Sequence, residues 1–166
     1  KLTNFKFFLK FAFYLSFKNV EPTGKNILLA LDVSGSMSSG EVAGVPGLTP
    51  REAAAAMLMV TYKTEPHIVV KAFAGELVAL DISRSKSLED VVKATNNLPF
   101  GRTDCSLPMY WALDNKVDID AFVVLTVADN QERKNLWGGM SAIAGLKKLV
   151  TRPIKYVLVT REHNPY

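Results

Sequence analysis

The chain has 166 residues, 48% of them apolar and 22% charged, which is enough for one globular domain with a buried core. Its net charge of +4 does not by itself point to nucleic acid, because residues 1–25 hold five lysines against Glu21 alone and residues 26–166 are neutral. A single cysteine, Cys105, excludes an internal disulfide and a cysteine-rich zinc site, and His67 and His163 leave little for histidine-based catalysis.

Residues 1–20 are rich in Phe, but Lys6 and Lys10 interrupt the apolar run and no small-residue cleavage site follows. The segment therefore reads neither as a signal peptide nor as a membrane span of roughly 18 apolar residues. Phe5, Phe8, Leu9, Ala12 and Phe13 suit an amphipathic helix over residues 1–18, docked on a neighbouring element in preference to a membrane surface. Residues 19–25, with Pro22 and Gly24, read as a linker to a domain over residues 26–166.

Asn26 to Val33 is a continuous apolar run without alternation, as expected of a strand covered on both faces. A loop from Ser34 to Leu48 follows. Thr49, Pro50 and Glu52 then spell a helix start, with the helix reaching about Lys63. Ile68–Ala74 and Leu77–Ile82 flank Gly75-Glu76 as a hairpin. Ser87 caps a second helix, with Asp90 in the capping-box position, running to about Asn96. After a loop to Thr103, a third helix runs to about Asn115. Ala121–Val127 is a second wholly apolar strand. A polar loop is expected from Ala128 to Leu136, then a helix to Leu149 and a strand over Ile154–Thr160. The pattern predicts an α/β fold with a mostly parallel sheet between helices and one antiparallel edge from the hairpin. Ligands of such sheets sit beyond the carboxyl ends of the strands, where strand order reverses.

Asp32-Val33-Ser34-Gly35-Ser36 begins at such an end. A carboxylate with hydroxyls two and four residues on suits a small hard cation such as Mg²⁺, which takes oxygen ligands and retains waters. The same residues could also serve only to cap backbone amides in a turn. Thr103-Asp104 ends a glycine-containing loop, and Asp129 follows the second apolar strand, so three oxygen-bearing segments should meet at one sheet edge. A helix cap for Thr103 and a solvated loop acid for Asp129 are the plainer alternatives.

Asp32-Val33-Ser34-Gly35-Ser36-Met37 resembles the metal-ion-dependent adhesion site (MIDAS) of von Willebrand factor A domains. Together with Val20-Glu21-Pro22-Thr23-Gly24-Lys25 and Thr103-Asp104-Cys105-Ser106-Leu107-Pro108-Met109, it makes residues 14–160 resemble the Ro ribonucleoprotein family, the SS-A autoantigen of the TROVE-module type. The resemblance implies a doubly wound von Willebrand factor A-like sheet, C-terminally truncated because that fold has a further strand and a closing helix after the position of Thr160. Residues 1–18 would then be a remnant of the family's ring of helical repeats. Asp32, Ser34, Ser36, Thr103 and Asp129 would surround Mg²⁺ or another divalent cation. Two departures stand out. Thr126 is followed by Val127-Ala128 before Asp129, an apparent two-residue insertion, and Arg102 replaces a usual glycine.

The resemblance implies a metal-dependent binding module of a small noncoding RNA ribonucleoprotein, cytoplasmic and also nuclear, involved in handling defective RNAs. DNA and membranes are not expected partners. A protein-adhesion module using its cation to take a partner's carboxylate is the alternative. A Mg²⁺-dependent phosphatase needs a second carboxylate two residues after the first, and Ser34 stands there, so no enzyme activity is expected.

Overall fold

The computed structural model describes Leu15 and residues 17–42, 45–96, 103–127, 130–149 and 152–159. Within them the elements are β1 (Ile27–Asp32), a 3₁₀ turn (Gly35–Ser38), α1 (Pro50–Thr64), β2 (Ile68–Phe73), β3 (Leu77–Val78), α2 (Leu88–Asn96), α3 (Leu107–Asp114), β4 (Ala121–Leu125), α4 (Asn130–Leu149) and β5 (Lys155–Val159). The expected helix over residues 1–18 lies almost wholly outside the described residues, which there show a 3₁₀ turn at Phe17–Asn19.

The sheet order is β3-β2-β1-β4-β5. β1 pairs in parallel with β2 on one side and β4 on the other, β5 is parallel to β4, and β3 alone is antiparallel. The expected mixed α/β sheet with one antiparallel edge is therefore the fold. All six residues of β1 are buried, because both of its faces are covered. Leu28, Ala30, Phe122 and Val124 pack against Met109 and Ala112 of α3 and Ala142, Ile143 and Leu146 of α4. Leu29, Leu31 and Leu125 pack with Ala54, Ala55, Leu58 and Met59 of α1 and Val91 of α2.

Local signals set the helix starts. Thr49 accepts from Glu52 N–H while the Glu52 carboxylate takes the Thr49 N–H at 2.9 Å, a complete capping box. Ser87 and Asp90 repeat the exchange before α2. Two expectations were off. The polar loop over Ala128–Leu136 is mostly helix, since α4 begins at Asn130: Gln131, Glu132, Arg133 and Lys134 are strong helix formers as well as polar. The strand expected to reach Ile82 stops at Val78, leaving a two-residue β3. Gly139 marks where α4 crosses α3 closely, because a Cβ there would lie 3.3 Å from Met109 Sδ and 3.4 Å from Ser106 Cα.

Residues 19–25 are tied to the domain. Glu65, at the carboxyl end of α1 and only 5% exposed, accepts from the Thr23 N–H at 2.9 Å and the Thr23 hydroxyl at 3.0 Å. Asp120 clasps the same rim, at the amino ends of the strands. Its carboxylate accepts from the Asn26 N–H at 2.8 Å and from Arg152 Nε, while its own N–H donates to Asn26 O and its carbonyl accepts from Lys155 N–H. One residue thus holds the entrances of β1, β4 and β5. The Asn26 amide, then Arg152, keep the Asp120 carboxyl below its ordinary range. Such a group stabilises the fold above its unfolded pKa, and the contribution is lost as pH falls through the lowered folded value. Asp120→Ala should lower unfolding stability by about 1–2 kcal/mol at pH 7 for the lost charged hydrogen bonds. In urea titrations the deficit should shrink as the pH drops through the acidic range, and an unchanged midpoint at pH 7 would contradict this role.

Candidate metal centre

β1 lies where the chain reverses its direction of winding: β2 and β3 follow on one side, β4 and β5 on the other. The crevice beyond the carboxyl ends of β1 and β4 is therefore the expected ligand position. Asp32 ends β1, and the register that pairs Leu31 with Leu125 brings Thr126 alongside it. Asp32 is 1% exposed and Thr126 4%. The Thr126 hydroxyl donates to Asp32 Oδ2 at 2.5 Å, and the Ser34 N–H donates to Oδ1 at 2.7 Å. Burial pushes the Asp32 carboxyl above its ordinary range, and the hydrogen bonds from Thr126 and Ser34 and the charge of Arg51 partly offset this.

The two serines do something other than cap. Ser34 stands at the N-cap of the Gly35–Ser38 turn without a side-chain capping bond. Its hydroxyl lies 2.9 Å from that of Ser36. The plainer expectation, turn-capping only, thus holds for one oxygen of Asp32 and fails for the serines.

Thr103 and Asp104 are drawn to the same edge of the sheet, since the Asp104 N–H donates to Ala74 O at 2.9 Å just past β2, and Val33 N–H donates to Phe73 O beside it. The Asp104 carboxylate is engaged locally, accepting from the Ser106 N–H at 2.9 Å and from the Ser106 hydroxyl. Asp32, Ser34 and Ser36 therefore come together, and Thr103 approaches along the neighbouring strand end. Asp129 and Arg102 lie outside the described residues. Two residues were not assigned to the site from sequence. Thr126 had a signal, its place at the end of the second apolar strand, and its hydroxyl is now the nearest partner of Asp32. Arg51 had none: an arginine in the first turn of a helix reads as surface, yet it is 4% exposed and bonds to Val33 O and Ser34 O.

The donor set fits a hard divalent cation. One ionisable carboxylate, held by the Thr126 hydroxyl, and the hydroxyls of Ser34 and Ser36 offer oxygen ligands, which suit Mg²⁺, Ca²⁺ or Mn²⁺ better than softer metals. Adjacent ligands of an octahedral Mg²⁺ stand about 3 Å apart, matching the 2.9 Å between the serine oxygens. Among the described residues no cluster of three or more His, Cys, Asp or Glu offers a competing site.

Comparisons with known proteins bear on the family and the fold. Residues 26–159 match the family model described as the Ro60 vWA domain. An RNA-binding protein RO60 from Deinococcus radiodurans is 46% identical over 131 residues, covering 79% of this chain and 24% of that protein. One from Caenorhabditis elegans is 43% identical over 121 residues, covering 73% of this chain and 18% of that protein. The chain thus spans about a quarter or less of the length of these relatives. The crystal structure of the Deinococcus radiodurans RO (RSR) protein superposes with a TM-score of 0.78 at 39% identity, over 90% of this chain and 30% of that one. With residues 26–159 matched and a relative 46% identical over 79% of the chain, the chain belongs to the Ro60 von Willebrand factor A domain family.

Proposed function

We propose that this chain is a divalent-cation-dependent binding module of an RNA–protein particle, and that it binds without catalysing. The observation that carries the proposal is the buried Asp32 carboxylate with the Ser34 hydroxyl beside it, itself paired with the hydroxyl of Ser36. Asp32, Ser34 and Ser36 would hold Mg²⁺, with Thr126 orienting the carboxylate and Thr103 and Asp129 completing the shell directly or through water. A bound cation would supply an open position for an oxygen ligand of a partner. The name shared by the relatives, RNA-binding protein RO60, supports an RNA as partner of the whole protein. We take that RNA to be a small noncoding one, with handling of defective RNAs as the role, on the resemblance of the Thr103–Met109 segment to the Ro family. For the open position itself we favour a protein carboxylate, because residues 26–166 carry no basic excess with which to hold phosphates. The absence of a second carboxylate at position 34 supports a binding role over phosphoryl chemistry. Among the described residues no helix is long and apolar enough to cross a membrane. The chain's single cysteine, Cys105, is buried and can form no internal disulfide, which suits a reducing compartment, and we place the protein in the cytoplasm, with access to the nucleus.

The cation test is a thermal titration. With chelator present, Asp32→Asn should be the more stable protein at pH 7, because it removes a buried charge whose protonated form the fold prefers. Its amide can still accept from Ser34 and donate to Thr126. A carboxyl with a raised folded pKa weighs against folding above that value, so this gap should close as pH falls through it towards the unfolded pKa. Each 1 kcal/mol gained shows as about 2–4 °C for a domain of this size. Mg²⁺ at about a hundred times its dissociation constant should stabilise the parent by about 2.7 kcal/mol and leave Asp32→Asn unmoved. Equal responses of the two proteins would remove the proposed site.

The RNA test is filter binding. Residues 26–166 alone should bind small RNA no more tightly than about 1 µM at physiological salt, the range of non-specific contact. Nanomolar, steeply salt-dependent binding by that segment would place the RNA surface on this domain and overturn the assignment of a protein ligand.

A further inference from the structure

Arg51 follows Pro50 in the first turn of α1, where long cationic side chains ordinarily reach water, yet it is 4% exposed. Its two terminal nitrogens point to different parts of the fold. Nη2 donates to Ser34 O at 3.1 Å and Val33 O at 3.4 Å, and Nη1 donates to Thr95 O at 2.5 Å and to Asn96 Oδ1 at 3.4 Å. These four bonds go to main-chain and amide oxygens. They hold the backbone behind Asp32 and not the carboxylate itself, whose oxygens take the Ser34 N–H and the Thr126 hydroxyl.

The two segments so joined both lead to the site. The first carries Asp32, Ser34 and Ser36. The second is the last turn of α2, with Thr95 fully buried, from which the chain continues to Thr103 at the same sheet edge. Helix ends present carbonyls with partial negative charge, so a guanidinium is well placed there. Only a planar fork reaches two separate acceptor groups in fixed geometry; an ammonium is a single point charge on a flexible stem. A buried guanidinium beside a cation site would on charge alone weaken cation binding, so its presence calls for a compensating role.

We propose that Arg51 is a positioning residue, whose fork holds the Asp32–Ser36 turn in register with the carboxyl end of α2 and thereby sets the affinity for a divalent cation. The proposal rests on the cation reading of Asp32, Ser34 and Ser36. It has a consequence for motion: cation binding at the turn should tighten α2 through Arg51.

The test uses the full chain, with Mg²⁺ titrated calorimetrically into the parent, Arg51→Lys and Arg51→Met. Outer partners that orient ligands are worth about 10–100-fold in metal affinity, and both variants should lose binding in that range. If the charge alone mattered, Arg51→Met would bind more tightly and Arg51→Lys would match the parent; either result overturns the proposal. Hydrogen exchange gives the second readout. Mg²⁺ should slow exchange at the Thr95 and Asn96 amides of the parent several-fold and should not do so in Arg51→Lys. An unchanged rate in the parent overturns the proposal even if the variants fail to fold. A parent that binds no Mg²⁺ overturns the cation reading together with it, whereas a parent that binds beside variants that bind equally well removes the role of Arg51 alone.

Discussion

The Asp32 carboxylate sits at the end of the central strand of the sheet at 1% exposure, largely removed from bulk water. An ion so placed loses several kcal/mol of hydration, and the loss must be offset inside the protein. Hydrogen bonds to a charged group return about 1.5–3 kcal/mol each, and among the described residues Ser34 and Thr126 supply them. Burial holds the carboxyl above its ordinary range despite these bonds and the more distant charge of Arg51. A cation is the group that would complete the account, and the Ser34 hydroxyl, itself paired with that of Ser36, lies beside the carboxylate where such an ion needs further oxygens.

Topology is what brings these groups together. With β1 flanked by β2 and β4, the residues just past three parallel strands share one rim, and each strand end contributes: Asp32 from β1, Thr126 from β4, and through Ala74 the Thr103–Asp104 segment from β2. The opposite rim is held by Asp120 and Arg152, so the strand ends at the site are positioned from both extremes of the sheet. α1 then links the site to the helical layer. Its first turn carries Arg51, and its last residue is followed by Glu65, which binds Thr23.

Much of this was legible in the sequence, for reasons that can be named. The unbroken apolar runs at Ile27–Leu31 and Ala121–Leu125 announce strands covered on both faces, and Thr49-Pro50-Arg51-Glu52 announces a helix start, because burial and capping act on neighbouring residues. The Asp32-Val33-Ser34-Gly35-Ser36 pattern is equally local. What escaped is what depends on partners far along the chain. Thr126 becomes a partner of Asp32 only once β1 and β4 are paired, and Arg51 becomes a core residue only once α2 lies against α1. Asn130–Leu136 misled for a different reason: polarity and helix propensity coincide in Gln, Glu, Arg and Lys, and hydropathy reads only the first.

The central claim is that oxygens of Asp32, Ser34 and Ser36 share one cation, and anomalous diffraction from crystals grown with Mn²⁺ in place of Mg²⁺ tests it most directly. The account predicts a single strong peak at the carboxyl rim of β1, with the two serine oxygens in its inner shell at about 2.1–2.2 Å and Asp32 bound directly or through one water. A fully ordered rim with the serine hydroxyls still bonded to each other and no peak between them, at millimolar Mn²⁺, would contradict it.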